Sequence, residues 1–389
     1  MNEELLNSFC ICSDCVNDEF LKDYIVNKAN QDDDCTVCLK KKKTVNLSSD
    51  SLFTSFSRYL IRYHYPEYEY NPHWGGEDLP SPFFESNPIV SHNFVDRPGK
   101  EIIMEDFFHM MFDLWVENSE IDLYYGHDEV GRGLFANSIK EEKSLTWLNY
   151  KKQLQTKNFY LLEENAKNTF EKLIEKLSKE IKIGTVYSRA RIGYKEVIKK
   201  QSSSEMKMKV AYSENELSSP PIFKSTAGRA NRQGVSYLYL ASNNETAIGE
   251  VRPHPGHYVS IGKFESNENL KVLDLRFINL IDYFQNPKEF EIFKFLRDIS
   301  EELSIPILPD EKENYLVTQF ISDIIRQIGF DGILFKSSVS NGHNLVAFNS
   351  DKFSFEKQSQ KLIKITKVQF QHKPVEYDID LFMEIAREK

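Results

Sequence analysis

Three side chains that could act together in catalysis stand close together in residues 227–253, which read AGRANRQGVSYLYLASNNETAIGEVRP. Arg229 is a cation in a glycine-rich segment, Tyr239 is an aromatic residue in an apolar run, and Glu250 is a carboxylate in a short polar segment. An arginine can bind a pyrophosphate through two parallel hydrogen bonds. A tyrosine ring can stack on a flat cationic heterocycle, and a carboxylate can stabilise positive charge on a ribose whose glycosidic bond breaks.

Turn, strand and helix signals in the same stretch explain how these groups would be positioned. Gly228 and Gly234 predict a turn, because glycine accepts positive φ. Residues 235–241 predict a strand with alternate side chains on one face. The sequence SNN at 242–244 supplies an N-cap for a short helix that ends before Pro253.

A dinucleotide with a cationic pyridinium leaving group, NAD+, has all the features that such residues would recognise. The alternative is structural: a surface arginine, a core tyrosine and a solvated glutamate. The spacing alone favours this structural alternative, so a further observation is needed to choose the functional interpretation.

The longer motif supplies that observation, because GRAN-x2-G-x2-YLYLA-x4-TAIGEVRPH, followed by YLVTQFISDIIRQIGFDGILFKSS and NLVAF, resembles the RES domain over about residues 181–350. The resemblance implies an α+β fold like that of diphtheria-type ADP-ribosyltransferases. It also implies a toxin that degrades NAD+ by cleaving the nicotinamide–ribose bond, with water or phosphate as acceptor. Such toxins are usually restrained by an antitoxin.

The resemblance carries particular site residues onto this chain. The residues expected to take part in catalysis are Arg229, Tyr239, Glu250 and Ser337. Those expected to bind substrate are Arg189, Asn231 and Ser338. Two alternatives stay open at this point: transfer of ADP-ribose to a macromolecule, and a zinc-stabilised interaction module that only binds a nucleotide.

The cysteines predict a separate metal site near the N-terminus. Cys12 and Cys15 form one CxxC pair, and Cys35 and Cys38 form a second. Two such pairs are typical of a structural four-thiolate Zn2+ site. Two disulfides are the alternative, but no secretion signal supports an oxidising compartment. The intervening residues 17–31 predict an amphipathic helix.

The sequence divides into four predicted segments. They are a zinc-binding segment at 1–45, a mainly helical domain at 46–180, a RES domain at 181–350, and C-terminal strands and a tail at 351–389 that pack on the RES domain. The helical domain, with predicted helices at 102–119 and 158–180, resembles the HEPN-like regions that precede RES domains. Arg58 and His64 fit the Arg-x4–6-His spacing of HEPN ribonucleases, but two residues at loose spacing often match by chance. His109 is expected to be a helix or core residue.

Composition limits the classes of partner. The net charge of −10 disfavours nucleic-acid binding by the whole surface. The sequence has no apolar run long enough to span a membrane, and its N-terminus lacks the features of a signal peptide, so we expect a cytoplasmic protein. The expected partners are NAD+, an antitoxin or regulatory protein, and further copies of the chain in a homo-oligomer.

Overall fold

The computed structural model has the α+β architecture that the sequence predicts. It describes residues 9–66, 88–90, 99, 102–107, 111, 138–201, 204–284, 287–305 and 315–369. Its contacts divide the chain into two compact units. One comprises Met1–Leu177 and Asp274–Ile328, and the other comprises Ser178–Leu273 and Gly329–Lys389. Residues 274–328 of the predicted 181–350 segment therefore belong to the first unit, and the four-segment division stays a prediction.

The elements have the following bounds. The helices are α1 (Glu19–Lys28), α2 (Ser51–His64), α3 (Leu145–Thr156), α4 (Tyr160–Ile174), α5 (Glu214–Leu217), α6 (Asn244–Glu250), α7 (Pro287–Ser304) and α8 (Leu316–Gln327). The strands up to the middle of the chain are β1 (Cys10–Cys12), β2 (Gln31–Asp34), β3 (Lys41–Asn46), β4 (Ser178–Ile181), β5 (Val186–Ile192), β6 (Lys195–Gln201) and β7 (Ser204–Val210). The later strands are β8 (Leu238–Ala241), β9 (Tyr258–Ser266), β10 (Leu270–Asp274), β11 (Gly332–Lys336), β12 (His343–Ala347), β13 (Phe353–Phe355) and β14 (Lys361–Lys364).

The first unit begins with a small antiparallel sheet in the order β1-β3-β2. Lys41–Lys43, from a run of four lysines at 40–43, open β3. They pair with Asp32–Asp34 of β2 in register. Opposite charges directly across an antiparallel pair stabilise it, and this register places three aspartates opposite three lysines.

Aromatic residues form much of the helical core of the first unit. Tyr150, Phe170, Phe295 and Phe320 from α3, α4, α7 and α8 have ring centroids 5.4–6.3 Å apart in their contacts. Helix α8 is buried from Val317 to Ile325. It is followed by Gly329, whose φ of +98° is typical of a glycine that caps the C-terminus of a helix.

The predicted helix at 158–180 is shorter in the structure. Helix α4 ends at Ile174, a 3-10 turn follows over Glu175–Leu177, and Ser178–Ile181 forms strand β4 against β10. The lysines and glutamates of this segment are compatible with a helix or a strand. Pairing with β10 selects the strand. Most of the predicted 102–119 helix, including His109, lies outside the described residues.

The second unit is built on a nine-stranded sheet in the order β13-β9-β5-β8-β12-β11-β10-β4, with β14 also paired to β9. Its core contains Ile181, Tyr187, Leu217, Leu238, Leu240, Phe264, Leu270, Val272, Leu334, Leu345, Ala347 and Phe353. Strands β8, β12 and β11 are consecutive neighbours in this sheet. Residues that lie far apart in sequence at their ends can therefore share one site.

Strands β6 and β7 pair antiparallel, with Gln201 opposite Ser204. The tail contributes β14, while residues beyond 369 lie outside the described part.

Among the described residues, no helix combines the length and the apolar character needed to cross a membrane.

Candidate active site

Helix α6 places Glu250 at its C-terminal end. The side chain of Asn243 accepts a hydrogen bond from the backbone N–H of Thr246 and so caps the start of the helix, as the SNN sequence predicts. After the helix, Arg252 adopts a φ of +46°, and its N–H donates to the carbonyl of Gly249. This tight turn ends the helix directly after the carboxylate that could do chemistry.

Three side chains hold the Glu250 carboxylate. The hydroxyl of Ser337 donates to Oε1 at 2.8 Å, and the Nδ2 amide of Asn344 donates to the same oxygen at 2.6 Å. Arg229 Nη2 lies 3.3 Å from Oε2. The side chains of Arg229 and Glu250 are only 14% and 20% exposed, so their ion pair is partly shielded from water. The site therefore presents a fixed carboxylate beside a cation.

The loop between β11 and β12 presents Ser337. The backbone N–H of Ser337 donates to the carbonyl of Gly342 at 3.1 Å, and its Oγ accepts from the N–H of Val339 at 3.2 Å. A Cβ on Gly342 would lie 2.0 Å from Thr246 Oγ1 of α6. Glycine at this position therefore lets the loop approach the helix that carries Glu250.

Asn231 organises the turn that carries Arg229. Its Nδ2 donates to backbone carbonyls within the turn, with distances of 2.8 Å to Val235 and 3.0 Å to Thr226. Its Oδ1 accepts from the hydroxyl of Tyr239 at 2.7 Å. The side chain is 3% exposed. This geometry gives Asn231 a positioning role, and the direct substrate contact predicted for it stays a prediction.

Two glycines serve this turn in different ways. Gly234 adopts a φ of +82°, as expected for a turn glycine. Gly228 has no positive φ, but a Cβ there would lie 2.5 Å from Asn231 Oδ1 and 2.9 Å from the Tyr239 hydroxyl. Gly228 is therefore required for close packing rather than for its φ angle.

Tyr239 and Arg189 extend the network from the neighbouring strands. The Tyr239 hydroxyl also accepts from the N–H of Ala230 at 3.1 Å, so it is engaged in the turn. Arg189 Nη1 donates to the carbonyl of Tyr239 at 2.8 Å. Burial of the guanidinium, followed by repulsion from Arg191, lowers the pKa of Arg189 to about 10. Arg189 therefore remains a cation at neutral pH.

The structure thus brings several of the sequence-predicted residues together. Arg229, Glu250 and Ser337 are in direct contact, while Ser338 is exposed and the hydroxyl that reaches Glu250 is that of Ser337. Asn344 was not among the residues predicted to form the site. Its sequence signal is an amide directly before the apolar run LVAF, a few residues after Ser337.

A second candidate site lies in the first unit, where Cys12, Cys15, Cys35 and Cys38 place their sulfur atoms within 4.8 Å of one another. Neighbouring Sγ atoms are 3.7–3.9 Å apart, and the cysteines are free thiols rather than disulfides. A tetrahedral Zn2+ with Zn–S bonds of about 2.3 Å requires sulfurs about 3.8 Å apart. The arrangement fits a structural zinc site.

The local fold explains this sulfur cluster. Cys12 ends β1 and Cys15 ends the 3-10 turn after it, while Cys35 follows β2. In the second knuckle, the N–H of Leu39 donates to the carbonyl of Cys35 at 2.8 Å, and Leu39 has a φ of +54°. Both CxxC pairs therefore lie on tight turns that direct two thiols toward one point.

His64, the histidine of the ribonuclease alternative, forms a structural contact with a carboxylate. His64 Nε2 lies 2.7 Å from Asp18 Oδ2, and Asp18 also caps α1 by accepting from the N–H of Leu21. His64 therefore has a structural partner that joins two helices. The side chain of Arg58 lies outside the described part of the structure.

Comparisons with known proteins agree with the motif. A family model described as the RES domain matches residues 210–370, which contain all the predicted catalytic and substrate-binding residues except Arg189. This stretch of the chain is therefore a RES domain. No curated protein matches the chain.

One similar solved structure is the crystal structure of the M. tuberculosis MbcT-MbcA toxin-antitoxin complex. It has 12% sequence identity and a TM-score of 0.27, and the match covers 50% of this chain and 91% of that chain.

Proposed function

We propose that the RES domain cleaves the nicotinamide–ribose bond of NAD+. The observation that carries this proposal is the Glu250 carboxylate, held by Ser337, Asn344 and Arg229 in a partly buried site. Preorganised charges in such a site stabilise developing charge without having to reorganise during the reaction. The RES-domain match at 210–370 supports the same assignment.

The main requirement of this reaction is that the site stabilises the positive charge that develops on the ribose. The C–N bond breaks with its electron pair moving to the pyridinium nitrogen, so nicotinamide leaves as a neutral molecule without general acid assistance. Positive charge develops on the ribose, where the Glu250 carboxylate stabilises it. Water or phosphate then forms the new bond to the anomeric carbon, and water loses a proton to solvent.

Three further residues of the site, Arg229, Arg189 and Tyr239, would bind NAD+. Arg229 lies beside Glu250, and a guanidinium can bind a pyrophosphate through parallel hydrogen bonds, so Arg229 would contact that part of NAD+. Arg189 supplies additional positive charge on the neighbouring strand. The Tyr239 hydroxyl is engaged in the turn, so its contribution to NAD+ is stacking by the ring.

Zn2+ in the four-thiolate site would have a structural role. Cys12, Cys15, Cys35 and Cys38 would fill a tetrahedral coordination sphere, which leaves no open position for a substrate. The metal would stabilise the small sheet β1-β3-β2 and the turns that carry the four cysteines.

A domain that consumes NAD+ must be restrained in its own cell. The proposed biological role is therefore a toxin or defence effector whose activity is controlled by an antitoxin or another regulatory protein. The remainder of the chain is available for such control or for assembly into a homo-oligomer.

The direct test compares Glu250→Gln with Glu245→Gln in the full-length chain. Both glutamates lie on α6, but Glu245 is exposed in the first turn. We expect the parent and Glu245→Gln to release nicotinamide from NAD+, and Glu250→Gln to lose about 100- to 1,000-fold in rate. Full activity of Glu250→Gln would refute the assignment. ADP-ribose on a macromolecule, rather than free, would show transfer instead of hydrolysis.

A further inference from the structure

The two oxygens of the Glu250 carboxylate have unequal surroundings. Oε1 accepts from both Ser337 Oγ and Asn344 Nδ2, at 2.8 and 2.6 Å. Among the described residues, Oε2 has one polar contact, with Arg229 Nη2 at 3.3 Å. Charge-assisted N–H···O bonds are typically about 2.7–2.9 Å long, so the contact at Oε2 is the loosest of the three.

Asn344 makes its contact from a rigid and buried place. It lies on β12, where it pairs with Ala241 of β8 and with Phe335 of β11, and it is 6% exposed. A buried amide is costly unless it is hydrogen-bonded. Its side-chain amide donates to Oε1 of Glu250, which lies 94 positions earlier in the sequence. Asn344 thus joins the centre of the sheet to the end of α6.

We infer that Asn344 is a positioning residue which, together with Ser337, commits Oε1 of Glu250 to the protein and leaves Oε2 to face the ribose. A carboxylate oxygen offers about two acceptor sites, and two fixed donors fill those of Oε1. Oε2 keeps capacity for a substrate hydroxyl or for the developing positive charge. An amide does not titrate, so this asymmetry persists across the physiological pH range. The inference rests on the proposed cleavage of NAD+.

The test replaces Asn344 with aspartate, which keeps the shape of the side chain but exchanges the donor for an acceptor. The matched control is Asn349→Asp, because Asn349 is exposed and its Oδ1 accepts from the N–H of Asp351, a contact that aspartate retains. We expect kcat of Asn344→Asp to fall about 10- to 100-fold while KM for NAD+ changes by less than about threefold. The control keeps both constants.

The pH profile separates positioning from simple structural damage. A second carboxylate beside Glu250 disfavours ionisation of the pair and raises the pKa at which Glu250 loses its proton. The acid limb of the kcat profile should therefore move to higher pH in Asn344→Asp. Asn344→Ala introduces no charge and provides a second variant if the aspartate variant does not fold. It should lower kcat similarly and move the limb less.

A measurement without NAD+ keeps this inference separate from the proposed function. The carboxyl carbon of Glu250 is followed by 13C NMR in the full-length chain and is assigned by its absence in Glu250→Gln. We expect it to titrate at higher pH in both Asn344 variants than in Asn349→Asp. An unchanged titration would overturn the inference, and so would unchanged kcat in an active protein. A parent that releases no nicotinamide contradicts the proposed function, and the titration then decides the role of Asn344.

Discussion

The side chains of Asn231 and Tyr239 are joined by a 2.7 Å hydrogen bond that closes the turn carrying Arg229. The same tyrosine hydroxyl accepts from the N–H of Ala230. The hydroxyl of Tyr239 therefore has a structural function within this turn.

We predict that Tyr239→Phe weakens the turn rather than removing a proton donor from the reaction. The loss of the hydroxyl leaves Asn231 Oδ1 without this donor in a buried position, which should cost about 1–3 kcal/mol of stability. Urea unfolding measures the effect. The matched control is Tyr160→Phe, because Tyr160 is 73% exposed, and it should leave the midpoint unchanged. Equal midpoints for the two variants would contradict the role given to the hydroxyl.

The charge of Arg189 predicts how KM for NAD+ depends on pH. Its pKa is lowered to about 10, because burial disfavours the charged form. The cation is present below this pH and is lost as the pH rises through it. KM for NAD+ should therefore increase in the parent as the pH approaches 10. Arg189→Gln should have a raised KM already at pH 7, with a smaller further increase. A parent and variant with the same KM profile would exclude Arg189 from binding.

The zinc site is tested by metal content. We predict one Zn2+ per chain in the parent and none in Cys35→Ser, because three thiolates and a hydroxyl form a much weaker site. Cys10→Ser is the control, since Cys10 is buried in the same sheet but is not one of the four clustered thiols. A chelator should lower the thermal midpoint of the parent. Equal zinc in Cys10→Ser and Cys35→Ser would contradict this assignment.

His64 distinguishes the structural interpretation from the ribonuclease alternative. We predict that His64→Ala retains nicotinamide release but is destabilised by about 1–3 kcal/mol, since Asp18 loses its buried partner. Both properties are measured on the same preparation, by nicotinamide assay and by thermal unfolding. An RNA-cleaving activity of the parent that disappears in this variant would instead favour the ribonuclease alternative.

Local sequence predicts the parts of the site that depend on local conformation. The capping sequence before Thr246 starts α6, and the following Pro253 agrees with its end, so the location of Glu250 could be predicted. The paired CxxC spacing likewise predicts the cluster of four thiols in the first unit. In both cases the decisive interactions lie within a short stretch of chain or between two repeated motifs.

Long-range pairing decides what the sequence could not predict. Asn344 reaches Glu250 because β12 lies between β8 and β11, and no local pattern gives that strand order. The polar segment 178–181 becomes strand β4 only because β10 is beside it. Residues 274–328 join the first unit through the packing of α7 and α8, which also depends on contacts distant in sequence.

The most direct test of the NAD+ cleavage proposal is a 1H NMR time course of NAD+ with the purified full-length chain. We predict that free nicotinamide appears as the NAD+ signals decay, together with an equal amount of ADP-ribose or, when phosphate is the acceptor, of its phosphorylated form. NAD+ that remains intact over the whole course, while its signals show that it binds the protein, would contradict the proposal and indicate a nucleotide-binding module.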